Sequence, residues 1–316
     1  MADGVDVSVL IVTWNSARWI ERCLASVPGA CEGLRAEIVI CDNASSDATV
    51  SLVAGRGEVI RSATNAGFAA ATNRAFLQAR GEAVFLLNPD CELAPRAITE
   101  LFAFLERTPG AAVAAPLLED ESGDSQREFQ LRRLPTLRSL AADVFAVGRL
   151  FPRATARHRY RNLDLTVPQR IEQPAGAALL IRRSVVEEIG PLDEQFAPAW
   201  FEDVDYCARL AAAGKEIWVV PSAAARHFGG SSLEYLSFER FNEVWYGNMW
   251  RYSRKWLSRG RSEALRWVII VSMILRCGAA VAGIAHPEVG RWRAFRAYAN
   301  VLEKAFHRWG DSSRSS

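Results

Sequence analysis

Short apolar runs and helix-length segments alternate through the first 115 residues. Runs at 7–12, 37–41, 58–61, 83–87 and 111–115 predict strands, with helices over about 18–26, 47–54, 66–79 and 95–106. Strand–helix alternation at this spacing builds βαβ units, hence a mostly parallel sheet with helices on its faces. Such sheets bind ligands at the carboxyl ends of their strands, so the loops after each strand are where chemistry is expected. Periodicity weakens from 118 to 170, where Pro135, Pro152 and Pro168 punctuate charged sequence. That stretch predicts a partly helical insertion over the site, acting as a lid. Order returns with a strand at 173–182, helices at 184–189 and 201–213, and a strand at 216–220. The expected organisation is one α/β domain over 1–232 followed by a basic helical region over 233–316.

Half of the 316 residues are hydrophobic and the formal net charge is +2, as in a packed globular protein. That small charge conceals an asymmetry. From Arg251 to Ser316 there are 13 Lys+Arg against 4 Asp+Glu, a net +9, which leaves −7 on the first 250 residues. An acidic body with a basic tail fits a protein held near anionic lipid or phosphate. A nucleic-acid-binding tail is the alternative, but no nucleic-acid motif accompanies the charge, so no nucleic acid is expected as a partner. The cysteines (Cys23, Cys31, Cys41, Cys91, Cys207 and Cys277) show no Cys-x-x-Cys pair and no zinc spacing. They read as small buried hydrophobes in a reducing compartment. The first residues carry neither the basic stretch nor the cleavage site of a secretory signal, which predicts a cytoplasmic protein.

Polar residues cluster where the strands end. Thr13-Trp14-Asn15-Ser16 follows the first strand, and Asp42-Asn43-Ala44-Ser45-Ser46-Asp47 the second. Capping of the next helix accounts for either loop alone, and Asp47 is placed as such a cap. Two polar loops on one sheet edge together point to a nucleotide pocket, in which Asp42 accepts from a ribose hydroxyl or a base N–H. The third segment, Asn65-Ala66-Gly67-Phe68 with Asn73 beyond it, offers a glycine where backbone approaches a ligand and a helix start that favours phosphate. In the fourth, a buried run enters Asn88-Pro89-Asp90. A carboxylate there is poor for stability but suits Mg²⁺ or Mn²⁺, which prefer oxygen ligands. A turn capped by Asp90 is the structural alternative. Downstream, Glu202, Asp203 and Asp205 crowd a helix start beside Trp200 and Phe201. Asp205 is explained by an i,i+4 pair with Arg209. Glu202 and Asp203 are not, and a carboxylate partly desolvated by aromatics can act as general base. His227 follows a strand into a Gly/Ser-rich loop. Alone it reads as structural; its company makes it a candidate metal ligand.

In this order and spacing the set resembles family 2 glycosyltransferases of the GT-A fold. Within them it is most similar to the rhamnosyltransferase-like group that builds bacterial cell-surface polysaccharides. The match runs from about residue 7 to 232. It implies a Rossmann-like, mostly parallel sheet flanked by helices, with a C-terminal helical extension. It also implies a nucleotide-diphosphate sugar donor, dTDP-rhamnose foremost, a divalent metal, and a hydroxyl acceptor on a glycan or lipid-linked glycan. Thr13, Asn15 and Asp42 would contact base and ribose, with Asn65, Gly67 and Asn73 lining the pocket. Asn88 stands where relatives carry the first Asp of Asp-x-Asp, so the ion falls to Asp90, His227 and the diphosphate itself. Asp203 matches the base, with Glu202 beside it; Gly176-Ala177-Ala178 matches the strand start between donor and acceptor. A single base with no second carboxylate nucleophile implies inversion.

Other nucleotide enzymes fit less well. A dehydrogenase would show Gly-x-Gly-x-x-Gly after the first strand, and a P-loop protein Gly-x-x-x-x-Gly-Lys. A sugar nucleotidylyltransferase would need a Gly-rich basic triphosphate loop near the N-terminus. An inactive nucleotide-sugar-binding protein would have no reason to keep both Asp203 and His227.

Residues 267–285 form a 19-residue apolar run with Arg276 near its centre. Length nearly permits a membrane span, but Arg276 would cost about 2.5–3.5 kcal/mol on insertion scales. Flanking arginines favour peripheral contact with the inner face of the cytoplasmic membrane, with a packed helix or homodimer interface next and a span last.

Overall fold

The computed structural model describes residues 4–146, 158–160, 162–229, 236–284 and 288–310. Two compact units divide the chain, Met1–Leu134 with Arg159–Ser231 and Pro135–His158 with Ser232–Ser316. The expected boundary at Ser232 lies outside the described residues, as do 147–157 and 161 of the expected insertion.

The first unit is built on a sheet. Its leading strands are β1 (Val7–Thr13), β2 (Ala36–Asp42), β3 (Glu58–Arg61), β4 (Ala83–Leu87), β5 (Cys91–Leu93) and β6 (Ala111–Glu119). Later come β7 (Leu131–Arg132), β8 (Gln169–Ile171), β9 (Gln173–Pro174), β10 (Ala178–Arg182) and β11 (Glu216–His227). The main order is β3-β2-β1-β4-β10-β6-β11-β5, and β8 pairs with β11. β1 runs parallel to β2 and β4, and β6 parallel to β11. β10 is antiparallel between β4 and β6, with Ala178 opposite Leu87. The start of β10 therefore meets the carboxyl ends of β1, β2 and β4 along one edge.

Helices cover both faces, which is why β1 and β4 read as unbroken apolar runs. α1 (Ile20–Ala30), α2 (Thr49–Val53), α3 (Phe68–Gln78) and α4 (Ala97–Arg107) follow the first strands. α5 (Arg127–Gln130) precedes β7; α6 (Leu137–Val144) belongs to the second unit; α7 (Arg183–Ile189) and α8 (Glu202–Ala212) follow β10. On one face Ile20, Cys23, Leu24, Ile98, Leu101 and Leu105 pack against Val9, Ile11, Phe85 and Leu87. On the other, Ala69, Ala71, Ala75, Tyr206 and Leu210 pack against Leu10, Val12, Val84 and Leu86. The period-2 split of each strand between the two sets is that of a pleated central sheet.

Several boundaries differ from the sequence reading. The last strand does not stop at Val220 but continues to His227 across a register shift between Val220 and Ala224. Pro221 lacks the N–H that a regular ladder needs there, and a bulge absorbs it. His227 is thus the last residue of a strand, opposite Cys91 of β5, and not a loop residue. The run 173–182 is two pieces, because Gln173–Pro174 pairs with β7 while β10 begins at Ala178. The stretch read as a single lid also divides. Residues up to Leu134 belong to the first unit, and Pro135–His158 to the second.

The second unit adds α9 (Phe238–Trp256), α10 (Arg259–Val281) and α11 (Arg291–Phe306) to α6. Thr136 and Ser139 close a capping box on α6, and Ser237 caps α9 by accepting from the Arg240 N–H. Arg266 of α10 donates to the Ala305 carbonyl, and Cys277 lies beside that of Phe295, so α10 and α11 run antiparallel. α10 is long and apolar enough to cross a membrane, yet Leu265, Ile269, Ile270 and Met273 are covered within the unit. Arg276 is used inside it as well, donating to the Val144 carbonyl at 3.0 Å and to Ser272 Oγ at 3.3 Å. The opposite face of α10 exposes Trp267, Val271, Ile274, Leu275 and Val281.

Candidate active site

The first two loops are laced to one another. Thr13 Oγ1 donates to Asp42 Oδ1 at 3.0 Å, and Asp42 Oδ2 accepts from the Ser45 N–H at 3.1 Å. Both residues are buried, and each carboxylate oxygen keeps acceptor capacity beyond its single bond. Asn15 takes a left-handed backbone, φ +50°, which Asn tolerates. Its N–H donates to Ser45 Oγ and its Oδ1 accepts from the Ser46 N–H and hydroxyl. Asp47 is not the expected helix cap. It precedes the N-cap Ala48, accepts from the Thr49 N–H and hydroxyl, and reaches back to the Ala17 N–H.

Asn43, passed over in the sequence, is the hub of the third segment. Its Nδ2 donates to Asn65 Oδ1 at 2.7 Å and to the Gly67 carbonyl at 3.2 Å, and its Oδ1 accepts from the Ala66 N–H. Asn65 Oδ1 also accepts from the Gly67 N–H. Gly67, φ +92°, meets backbone and not open pocket, since a Cβ there would lie 2.9 Å from the Pro198 carbonyl oxygen. Asn73 is engaged away from these loops. Its Nδ2 donates to the Leu192 carbonyl and Glu194 Oε1, and its Oδ1 accepts from the Leu192 N–H.

Asn88-Pro89-Asp90 turns from β4 into β5, a three-residue strand too short to read from periodicity. Asp90 is buried, and its Oδ1 lies 3.7 Å from His227 Nε2. His227 Nδ1 sits 2.9 Å from Gln126 Oε1, while Gln126 Nε2 donates to the His227 carbonyl at 2.7 Å. Phe129 stacks on the imidazole at 5.2 Å and 13°. Burial holds the imidazole below its usual pKa, with the Asp90 charge opposing, which favours the neutral form that a metal ligand needs. Asp90, Cys91 and His227 place their ligand atoms within 4.8 Å of one another. Cys91 Sγ donates to the Ala177 carbonyl, and a hard Mg²⁺ or Mn²⁺ ion prefers oxygen and imidazole donors to a soft sulfur. The carboxylate–imidazole pair fits a hard divalent cation. Two donors about 2.1 Å from an ion in octahedral geometry lie about 3 Å apart, and such ions take remaining ligands from phosphate and water.

The second pole is next door. The Asn88 N–H donates to the Ala177 carbonyl at 2.8 Å, and the neighbouring Gly176 N–H donates to Asp203 Oδ2 at 3.0 Å. A Cβ on Gly176 would lie 3.0 Å from that of Asp203, so an added methyl would make Asp203 give by a few tenths of an ångström. Asp203 Oδ1 accepts from the Val204 N–H, and Arg132 adds positive charge nearby. Burial nevertheless pushes the Asp203 carboxyl above its ordinary value, with those hydrogen bonds and Arg132 pulling against it. Glu202 is buried, and its Oε2 has no hydrogen-bond partner among the described residues. Burial, then the Asp203 charge, drive it well above the usual carboxylate range. Trp200 and Phe201, at φ +71° and +74°, bring the chain into α8 through two successive left-handed non-glycine residues. Such strain concentrates at functional sites. Asp205, as expected, pairs with Arg209 at 3.1 Å.

One short segment serves both poles. Gln126 and Phe129 hold His227, Gln130 anchors the segment to β6 through the Leu118 N–H and the Pro116 carbonyl, and Arg132 faces Asp203. The sequence reading placed none of these four residues in the site.

Comparison with known proteins converges on one family. The model of "Glycosyl transferase family 2" matches residues 8–190. The chain is 30% identical over 294 residues to an N-acetylglucosaminyl-diphospho-decaprenol L-rhamnosyltransferase of Mycobacterium tuberculosis, covering 85% of this chain and 94% of that protein. A low-salt glycan biosynthesis hexosyltransferase of Haloferax volcanii is 25% identical over 209 residues, 65% of this chain and 61% of its own. Among solved structures, GalNAc-T7 with UDP, GalNAc and Mn²⁺ superposes with a TM-score of 0.60 at 16% identity, over 99% of this chain and 58% of that one. S. aureus TarS 1–349 in complex with UDP-GlcNAc does so at 0.51 and 16%, over 98% and 93%. The fold is GT-A, as the motif order implied.

Proposed function

The chain belongs to glycosyl transferase family 2, and on that premise we propose that it transfers rhamnose from a nucleotide-diphosphate donor, with inversion, to a hydroxyl of a lipid-linked glycan. The observation that carries this reading is the pairing of two poles on one sheet edge. Asp203 is fixed by the Gly176 N–H at 3.0 Å, and Asp90 faces His227 at 3.7 Å. Rhamnose and a lipid-linked acceptor are supported by the 30% identity to the mycobacterial rhamnosyltransferase over 85% of the chain.

Asp42, with Thr13 and Asn15 around it, receives base and ribose, while Asn65 and Asn88 shape the pocket wall and Gly67 lets the Asn65 loop lie against the Pro198 backbone. Asn73 acts at a distance by holding α3 to the Leu192–Glu194 loop. Asp203 takes the acceptor hydroxyl proton as that oxygen bonds to the anomeric carbon, on the face opposite the diphosphate. The anomeric C–O bond breaks and the diphosphate departs with the electron pair. Glu202, neutral and buried, limits the negative charge beside the base. Asp90 and His227 would hold a Mg²⁺ or Mn²⁺ ion, which would supply positive charge against that building on the diphosphate.

The reading is tested by supplying Mn²⁺, a lipid-linked glycan acceptor and a panel of nucleotide sugars, with dTDP-rhamnose expected to lead. The product should carry the anomeric configuration opposite to the donor's, and chelator should abolish its formation. A product of retained configuration, or full turnover in chelator, contradicts the mechanism. Donor binding without any transfer would favour a nucleotide-sugar-binding protein.

We also propose peripheral contact with the cytoplasmic face of the membrane through the exposed side of α10. Its support is an uncharged apolar stripe, Trp267, Val271, Ile274, Leu275 and Val281, where a surface helix ordinarily presents polar side chains. Arg259 and Arg261, exposed at the start of α10, add attraction for anionic headgroups. Co-sedimentation with anionic vesicles tests it.

A further inference from the structure

We propose that Gln126 is a positioning residue for the cation pair, fixing His227 as the Nδ1–H tautomer and so aiming the Nε2 lone pair at Asp90. The proposal rests on the reading of Asp90 and His227 as ligands. The main-chain carbonyl of His227 can only accept, so the group 2.7 Å from it must be the Gln126 NH₂. That orientation leaves Gln126 Oε1, itself only an acceptor, 2.9 Å from Nδ1. Nδ1 must therefore carry the ring proton. A neutral imidazole has one such proton, so Nε2 presents a lone pair 3.7 Å from Asp90 Oδ1. Two acceptors turned toward each other across that distance suit a shared cation. A second hydrogen bond that sets tautomer and ring plane is what metal-ligating histidines ordinarily have.

The surrounding chain is arranged to deliver this contact. A turn in which Asp120 Oδ1 accepts from the Ser122 and Asp124 N–H groups brings Gln126 back beside β6, where its own N–H donates to the Leu118 carbonyl. Gln126 is the N-cap of α5, yet its amide goes to His227 and does not cap that helix. Phe129, one turn on, is 45% exposed, a poor position for a large apolar ring unless it holds the imidazole plane. Gln126 and His227 are 101 residues apart, so no local feature of the sequence joins them.

The test uses the full-length chain and two readouts. ¹⁵N-edited NMR of the metal-free protein, which has four histidines, reports the His227 tautomer directly. Wild type should show Nδ1–H, Gln126→Leu should lose that bias, and Gln126→Glu, which keeps an acceptor for Nδ1–H, should restore it. Binding of Mn²⁺ alone, followed by electron paramagnetic resonance, should weaken about 10–100-fold in Gln126→Leu. An Nε2–H tautomer in wild type, or an unchanged tautomer in Gln126→Leu, overturns the proposal. So does unchanged Mn²⁺ affinity in Gln126→Leu while His227→Ala loses it. Wild-type Mn²⁺ binding in both Asp90→Ala and His227→Ala would instead refute the ligand assignment itself.

Discussion

Glu202 and Asp203 show how far one residue step changes a carboxyl's task. Both are pushed upward by burial, but Asp203 has the Gly176 and Val204 N–H groups on its oxygens, where Glu202 has its own main-chain N–H alone, and these bonds keep the charged form of Asp203 accessible. The acid limb of kcat/KM should therefore lie above the ordinary aspartate value of 3.8, activity falling as pH drops through the raised Asp203 pKa. Glu202 contributes stability that is full below its ordinary 4.5 and is lost as pH rises through its raised folded value. Glu202→Gln mimics the protonated form. Its Tm should fall less than that of wild type between acid and neutral pH, with turnover at neutral pH within a few-fold; a steeper fall would mean Glu202 is ionised in the folded protein. Asp90 and Asp203 were legible in the sequence because a carboxylate ending a buried run, or set among aromatics, is conspicuous. Gln126 and Phe129 were not, since they lie in a stretch without periodicity and act on a partner far along the chain. Asn43 was adjacent to a residue singled out, but its partners Asn65, Ala66 and Gly67 become visible only when β2 and β3 pair.

At the scale of elements, β1, β2, β3, β4 and β6 were legible because strands covered on both faces, or half covered at an edge, leave a plain apolar run. β5 and β7 were not, being two or three residues long, and β11 was cut short because Pro221 looks like a strand end. The two glycines at loop–helix junctions separate fold from chemistry. Gly67→Ala places a Cβ at φ +92° against the Pro198 backbone, and should lower stability by about 1–3 kcal/mol, read by denaturant titration. Gly176→Ala has no such backbone strain, but its Cβ pushes on Asp203. That variant should lose kcat by tenfold or more with donor affinity and Tm nearly unchanged. Equal loss of donor affinity would show that Gly176 serves the pocket and not the base.

Across the whole molecule, the charge division read from the sequence, +9 beyond residue 250 and −7 before it, falls inside the helical unit that carries α10, within α9. What the sequence did not reveal is that Pro135–His158, including α6, joins that unit. Its only local sign is Pro135 ahead of the capping box at Thr136. Burying Trp267 and Leu275 in a bilayer is worth about 1.5–3 kcal/mol each, so Trp267→Ser with Leu275→Ser should lower partition into anionic vesicles at least tenfold. Absence of vesicle binding together with concentration-dependent dimerisation would make this face a subunit interface instead. The proposed transfer turns on Asp203. Side-by-side assay of Asp203→Asn and wild type for sugar transfer and for donor binding by calorimetry tests it most directly. Transfer should be abolished with donor affinity within a few-fold of wild type, whereas undiminished turnover in Asp203→Asn would contradict the assignment of the base and the mechanism built on it.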